Sequence, residues 1–178
     1  MSPVRCSVLG NAGGGKSILS RAIAAKTKIE LHELDNYLWK DNWDSVPAAE
    51  FDARHENILE GDEWIIDGFG SPESTRKRLL RSTLLILVDL PIWLHFAMAS
   101  DRQLAWSKGE LKHPPGGMSL PPPTKRLFEL IWTIHIELMP AVRVLADDME
   151  ARGGKVERVF DLERLRELQF NPHLLLDG

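Results

Sequence analysis

The sequence predicts an α/β fold built on a parallel sheet, and three observations carry that prediction. Gly10-Asn11-Ala12-Gly13-Gly14-Gly15-Lys16-Ser17 fills every fixed position of the G-x-x-x-x-G-K-[ST] phosphate-binding pattern. A short apolar segment, Val4 to Leu9, precedes it, and Ile18, Leu19, Ala22 and Ile23 follow at helical spacing. Farther on, the apolar runs Trp64-Ile65-Ile66-Asp67 and Leu84 to Leu90 each carry an acid at or near their ends and alternate with helical stretches.

The loop needs these residue types. Glycines let the backbone fold back so that successive N–H groups cradle phosphate oxygens. Lys16 can reach the β- and γ-phosphates, and the Ser17 hydroxyl can ligate Mg²⁺. The helix that follows adds the positive end of its dipole. A nucleoside triphosphate, ATP with Mg²⁺, is the expected ligand of Gly10 to Ser17.

With 178 residues, 43% of them hydrophobic, the chain fits one domain (1–178) with a substantial core. A net charge of −4 does not favour extended nucleic-acid binding. The single cysteine, Cys6, excludes an internal disulfide and a cysteine zinc cluster, and fits a small core residue. The first residues run straight into the loop's strand and no apolar run reaches membrane-spanning length, so a cytoplasmic protein is expected. Oligomeric state is left open.

Taken in order, Val4 to Leu9 is the first strand and Lys28 to Asp35 the second. Tyr37, Leu38, Trp39 and Trp43 crowd a loop that also carries Asp41 and Asp44. Pro47 begins a helix on which Phe51, His55, Ile58 and Leu59 share a face, which makes His55 a residue of the core edge rather than a ligand. Trp64 to Asp67 is the third strand. Ser71-Pro72 caps a helix carrying Arg76, Lys77, Arg78 and Arg81, and Leu84 to Leu90 is the fourth strand. Asp35, Asp67 and Asp89 thus fall with the phosphate loop at the carboxyl edge of the sheet, where such folds bind ligands.

A helix runs from Ile92 to about Ser107. Gly109 to Pro123 then holds two proline clusters and cannot be regular structure. Leu127 to Met149 keeps a helical stripe that Pro140 should kink or split, Gly153-Gly154 ends it, and Lys155 to Leu162 is the fifth strand. The break at about 108–124 sits where a closing lid would lie, bordered by Arg102, Lys108, Lys125 and Arg126. The same composition also fits an ordinary surface loop.

The chain resembles the adenylate-kinase-related P-loop kinases and, more closely, the bacterial topology modulation (FlaR-like) proteins. The resemblance rests on Gly10 to Ser17; His32-Glu33-Leu34-Asp35 with Trp39 and Trp43; Trp64 to Gly68; and Val88 to Pro91 with Trp93. Arg78, Arg81 and Arg102 match arginines of the pattern. It covers about residues 4–162 and implies a P-loop NTPase three-layer sandwich, nucleoside-monophosphate-kinase-like, with five parallel strands in the order 2-3-1-4-5 and a lid insert. Gly70-Ser71 stands where adenylate kinases have Pro-Arg after Asp-Gly-Phe.

These readings give an ATP-dependent kinase whose acceptor is a small molecule, a nucleotide among the candidates. Lys16 and Arg102 would spread charge during transfer. Ser17 and Asp67 would hold the Mg²⁺ shell. Asp35 would take a proton from an attacking hydroxyl or position an acceptor phosphate. Arg78 and Arg81, one turn apart, would hold the acceptor's anionic group or simply keep a helix face wet. Arg102 and Arg126 would be the lid cations. The alternative is a nucleotide-binding regulator affecting DNA topology or a protein partner, with little or no transfer.

Overall fold

The computed structural model describes residues 3–40, 43–114, 118 and 120–176. Asp41 of the aromatic loop, and Pro115, Gly116, Gly117 and Ser119 of the expected lid, lie outside the described residues. Strands β1 (Arg5–Gly10), β2 (Leu31–Glu33), β3 (Trp64–Asp67), β4 (Leu84–Val88) and β5 (Lys155–Val159) form one sheet in the order β2-β3-β1-β4-β5. Every pairing is parallel. Fold class and strand order are those expected from the sequence.

Alternation along the central strands distributes the core between two layers. Cys6, Val8, Leu84, Ile86 and Val88 point to one face, where Leu19, Ile23, Leu165 and Leu168 cover them. Leu9, Leu85 and Leu87 point to the other, against Leu79, Met139, Val142, Ala146 and Met149. The covering helices are α1 (Lys16–Thr27) and α8 (Leu162–Phe170) on the first face, and α4 (Pro72–Arg81) and α7 (Met139–Ala151) on the second. Each fully buried Leu or Ile contributes roughly 1.5–3 kcal/mol of transfer free energy. A third cluster, Leu34, Phe51, Leu59, Trp64 and Ile66, seats α3 (Ala48–Leu59) on the β2–β3 side. The register places Val8 beside Asp67 and Gly10 beside Val88, so the loop after β1 and the ends of β3 and β4 share one edge.

Several boundaries differ from the sequence reading. β2 is three residues long, and Asp35 is not a strand end but the first residue of a one-turn helix, α2 (Asp35–Leu38). β5 stops at Val159 because Asp161 caps α8 by accepting the Arg164 N–H. α5 (Ile92–Ser107) follows Pro91 as expected. The long helix is divided just before Pro140. The chain widens into a π segment, Ile134–Leu138, between α6 (Thr124–Thr133) and α7, and Pro140 sits in the first turn of α7. The wider turn supplies the room that a proline without an N–H donor requires. The tail packs: Leu175 is buried among the first-face residues.

Candidate active site

The phosphate loop connects β1 to α1 and is shaped by what lies against it. Gly13 adopts φ +74, and a Cβ there would stand 2.8 Å from the His95 carbonyl oxygen. A Cβ on Gly14 would stand 2.7 Å from His95 Cε1. His95 of α5 is the functional residue that motif reading missed. Its buried ring donates from Nδ1 to the Ala12 carbonyl at 3.0 Å and so braces the loop from beneath. Burial holds its pKa below the usual histidine value, which keeps the ring neutral. Asn11 is fixed as well: its amide nitrogen donates to Ile131 O at 2.8 Å and its Oδ1 accepts Ala12 N–H at 2.7 Å. Behind the loop, Gln169 of α8 donates to Gly15 O at 3.2 Å. Only the spacing of residues far apart in sequence could have revealed these braces, and it carries no motif.

Lys16 donates from Nζ to Asn11 O at 2.7 Å, curled over its own loop. Burial lowers its pKa, Arg102 lowers it further, and the carboxylates of Asp67 and Asp35 oppose both. Asp67 is 4% exposed, and burial pushes its carboxyl up to about 6. Lys16 and a hydrogen bond from the Ser17 hydroxyl pull the other way, while Asp35 and Glu33 add to the rise. Asp67 Oδ1 is buried without a partner. A buried carboxylate with its Oδ1 unsatisfied and the Ser17 hydroxyl nearby fits a hydrated Mg²⁺ beside bound phosphates.

Arg102 extends from α5 into the same region. Its charge is felt at Lys16, Asp35 eases the cost of its burial, and its Nε has no partner in the protein. Lys16, Ser17, Asp67, Asp35 and Arg102 therefore lie within electrostatic or hydrogen-bond reach of one another. Asp35 is exposed at the start of α2.

The three other arginines singled out in the sequence lie in different surroundings. Arg78 is 0% exposed, with its Nη2 donating to Gly68 O at 2.8 Å, whereas Arg81 is exposed at the far end of α4, in a groove with Glu56 and Glu60. They share no anion-binding face, because Arg78 turns inward under β3 instead of along the helix surface. Arg126 donates to Trp43 O at 3.2 Å and lies over the Trp39 ring at 5.8 Å, so it holds the aromatic loop and not the phosphate site. Trp43 in turn packs edge-on against Trp106, and its indole N–H donates to Leu120 O at 3.3 Å. Asp89 is paired with Arg143 at 2.7 and 2.8 Å.

This arrangement is that of the P-loop kinase fold. The chain superposes on the shikimate kinase of Bacteroides thetaiotaomicron with a TM-score of 0.54 and 13% identity, over 98% of this chain and 99% of that one. A candidate kinase from Chloroflexus aurantiacus gives a TM-score of 0.56 and 16% identity, over 98% and 99%. At these identities the likeness is one of fold. Neither a protein-family model nor a curated protein sequence matches the chain. Among the described residues, no helix is long and apolar enough to cross a membrane.

Proposed function

We propose that this protein is an ATP-dependent kinase that transfers the γ-phosphoryl group to a small acceptor. The observation that carries the reading is the convergence of Lys16, Asp67, Asp35 and Arg102 on one phosphate loop, each within electrostatic reach of another. Two cations and two carboxylates at the carboxyl edge of a P-loop sheet suit transfer between oxygens. An acceptor oxygen bonds to the γ-phosphorus while the bond to the oxygen bridging it to ADP breaks. Where the acceptor is an alcohol, its proton passes to Asp35; where it is a phosphate, Asp35 orients it.

The chain's residues supply position and charge. Lys16 exchanges the Asn11 carbonyl for phosphate oxygens, and Arg102, short of partners in the protein, takes up charge on the migrating group. Ser17 and Asp67 would hold Mg²⁺, which neutralises charge on the β- and γ-phosphates. His95 keeps the loop in its cradle shape throughout. A kinase of this kind is expected to act on a compact polar acceptor.

The deciding experiment offers Mg²⁺-ATP with a panel of nucleoside monophosphates, nucleosides and small hydroxy acids or alcohols, scored for phosphorylated product by mass. A product formed by the wild type and lost in Lys16→Ala supports the reading. ATP binding without product from any acceptor would favour a nucleotide-binding regulator.

A further inference from the structure

Arg78 is among the largest fully buried side chains, and it carries a charge. Burying a guanidinium costs several kcal/mol unless hydrogen bonds or an opposite charge repay it. Here the return within the protein is a single bond, Nη2 to Gly68 O; Nε and Nη1 have no partner. The carboxylate that most favours its charged form is Asp67, and no ion pair joins the two. The sequence leaves this arginine either at an acceptor anion or on a wet helix face. Its place under the sheet points to different work.

That work is visible in the backbone of the β3–α4 corner. Gly68 follows Asp67 with φ +103, a conformation that a side chain would strain. Its N–H donates to Val8 O at 3.1 Å, which ties the corner to the strand feeding the phosphate loop. Its carbonyl lies past the end of the β2–β3 ladder, and Arg78 satisfies it. One residue back, Asp67 O accepts the Leu34 N–H at 2.9 Å, and Leu34 immediately precedes Asp35. Farther along, Thr75 Oγ1 accepts the Gly70 N–H at 3.3 Å and Ser71 caps α4. The Asp67–Gly68 unit therefore has three anchors: β1, the β2–α2 corner and Arg78.

We propose that Arg78 is a positioning residue. It holds the Asp67–Gly68 corner, and through Leu34 the start of α2 with Asp35, in register with the phosphate loop. This rests on the kinase-site reading for its consequence but not for its geometry. Without Arg78 the Gly68 carbonyl would be left unpaired under the sheet, and the corner would turn to seek another donor. Both carboxylates would then shift relative to Lys16 and Ser17, while the loop's own glycines, braced by His95 and Gln169, would stay in place.

The test compares wild type with Arg78→Met, which keeps length and apolar volume but loses charge and donors, and Arg78→Lys, which keeps the charge and one reaching donor. Two readouts need no acceptor: amide hydrogen exchange at Gly68 and Leu34, referenced to Leu85 in β4, and ADP affinity with and without Mg²⁺. In Arg78→Met, exchange at Gly68 and Leu34 should rise about tenfold or more above any change at Leu85. Affinity in EDTA should stay within about twofold, while the tightening given by Mg²⁺ falls by roughly 10- to 100-fold, the usual effect of removing a supporting residue behind a metal-binding group. Arg78→Lys should recover part of both. If Arg78→Met does not fold, Arg78→Lys carries the test, since one donor on a flexible stem should still loosen Gly68 measurably. Unchanged exchange at both amides and unchanged Mg²⁺ dependence in a folded variant would overturn the proposal. Loss of ADP binding from the wild type itself would instead refute the site reading, with the exchange result still deciding the role of Arg78.

Discussion

His55 shows at the residue scale what burial without a partner costs. It is 1% exposed, stacked on Phe51, and neither ring nitrogen has a hydrogen-bond partner. Burial, with Arg78 adding to it, depresses its pKa to about 4. The unfolded chain, with a histidine near 6.5, therefore binds the extra proton between these values, and stability falls as pH drops through that window. The loss should reach roughly 2–3 kcal/mol near the bottom of the window. Asp67 works in the opposite sense, because a carboxyl raised to about 6 favours the folded state as pH falls below that value. Comparison with His55→Phe isolates the histidine: urea midpoints measured from pH 7.5 to 4.5 should fall less steeply in the variant. Parallel curves would show that His55 finds a partner in solution. In the active site, Lys16→Ala should abolish Mg²⁺-ATP binding or transfer in a folded protein, because Lys16 bonds only to its own loop. Asp67→Asn should weaken Mg²⁺-dependent activity more than nucleotide binding in EDTA; equal losses in both assays would make Asp67 merely structural.

At the scale of elements, α5 is the spine of the site. His95 meets the phosphate loop, Arg102 two turns on reaches Lys16 and Asp35, and Trp106 one turn farther meets Trp43. Gln103 donates to Pro122 O at 2.8 Å, so the end of the 109–123 segment is pinned to the same helix. Arg102→Ala should lower turnover by about 100-fold, the scale of one lost charge-stabilising donor, with a much smaller change in ATP affinity. Trp43 adopts φ +64, which strains an aromatic residue, and its contacts to Leu120, Trp106 and Arg126 offset that strain. Trp43→Ala should red-shift tryptophan emission and raise the acceptor KM while leaving ATP affinity near wild type. A blue-shifted or unchanged spectrum with normal KM would make the cluster plain packing.

At the scale of the molecule, both faces of the sheet depend on β4. Leu85 lies fully buried against the α4 and α7 layer, and Leu85→Ala should cost about 2–5 kcal/mol by urea unfolding. The net charge of −4 bears on partners. DNA affinity should be weak and should fall steeply with salt. Tight, sequence-specific binding at physiological salt would argue for the regulatory alternative.

What the sequence alone determined was local. The glycine spacing, Lys16 and Ser17 define the phosphate loop, and apolar runs of strand length with acids at their ends define a parallel sheet and its functional edge. The stripe of Phe51, His55 and Leu59 likewise placed His55 at the core edge. Tertiary structure decided everything that depends on which residues meet across the chain. The spacing of Arg78 and Arg81 says only that they lie one turn apart; whether they face water or the underside of β3 depends on how α4 packs, and that buried the first and exposed the second. The brace of His95 on Ala12 spans 83 residues, and the bond from Asn11 to Ile131 spans 120. The turn of Arg126 toward Trp43 is another contact of this kind. A helical or strand period reports a residue's neighbours within one element, whereas these contacts are set by the strand order and by how the helices seat on the sheet.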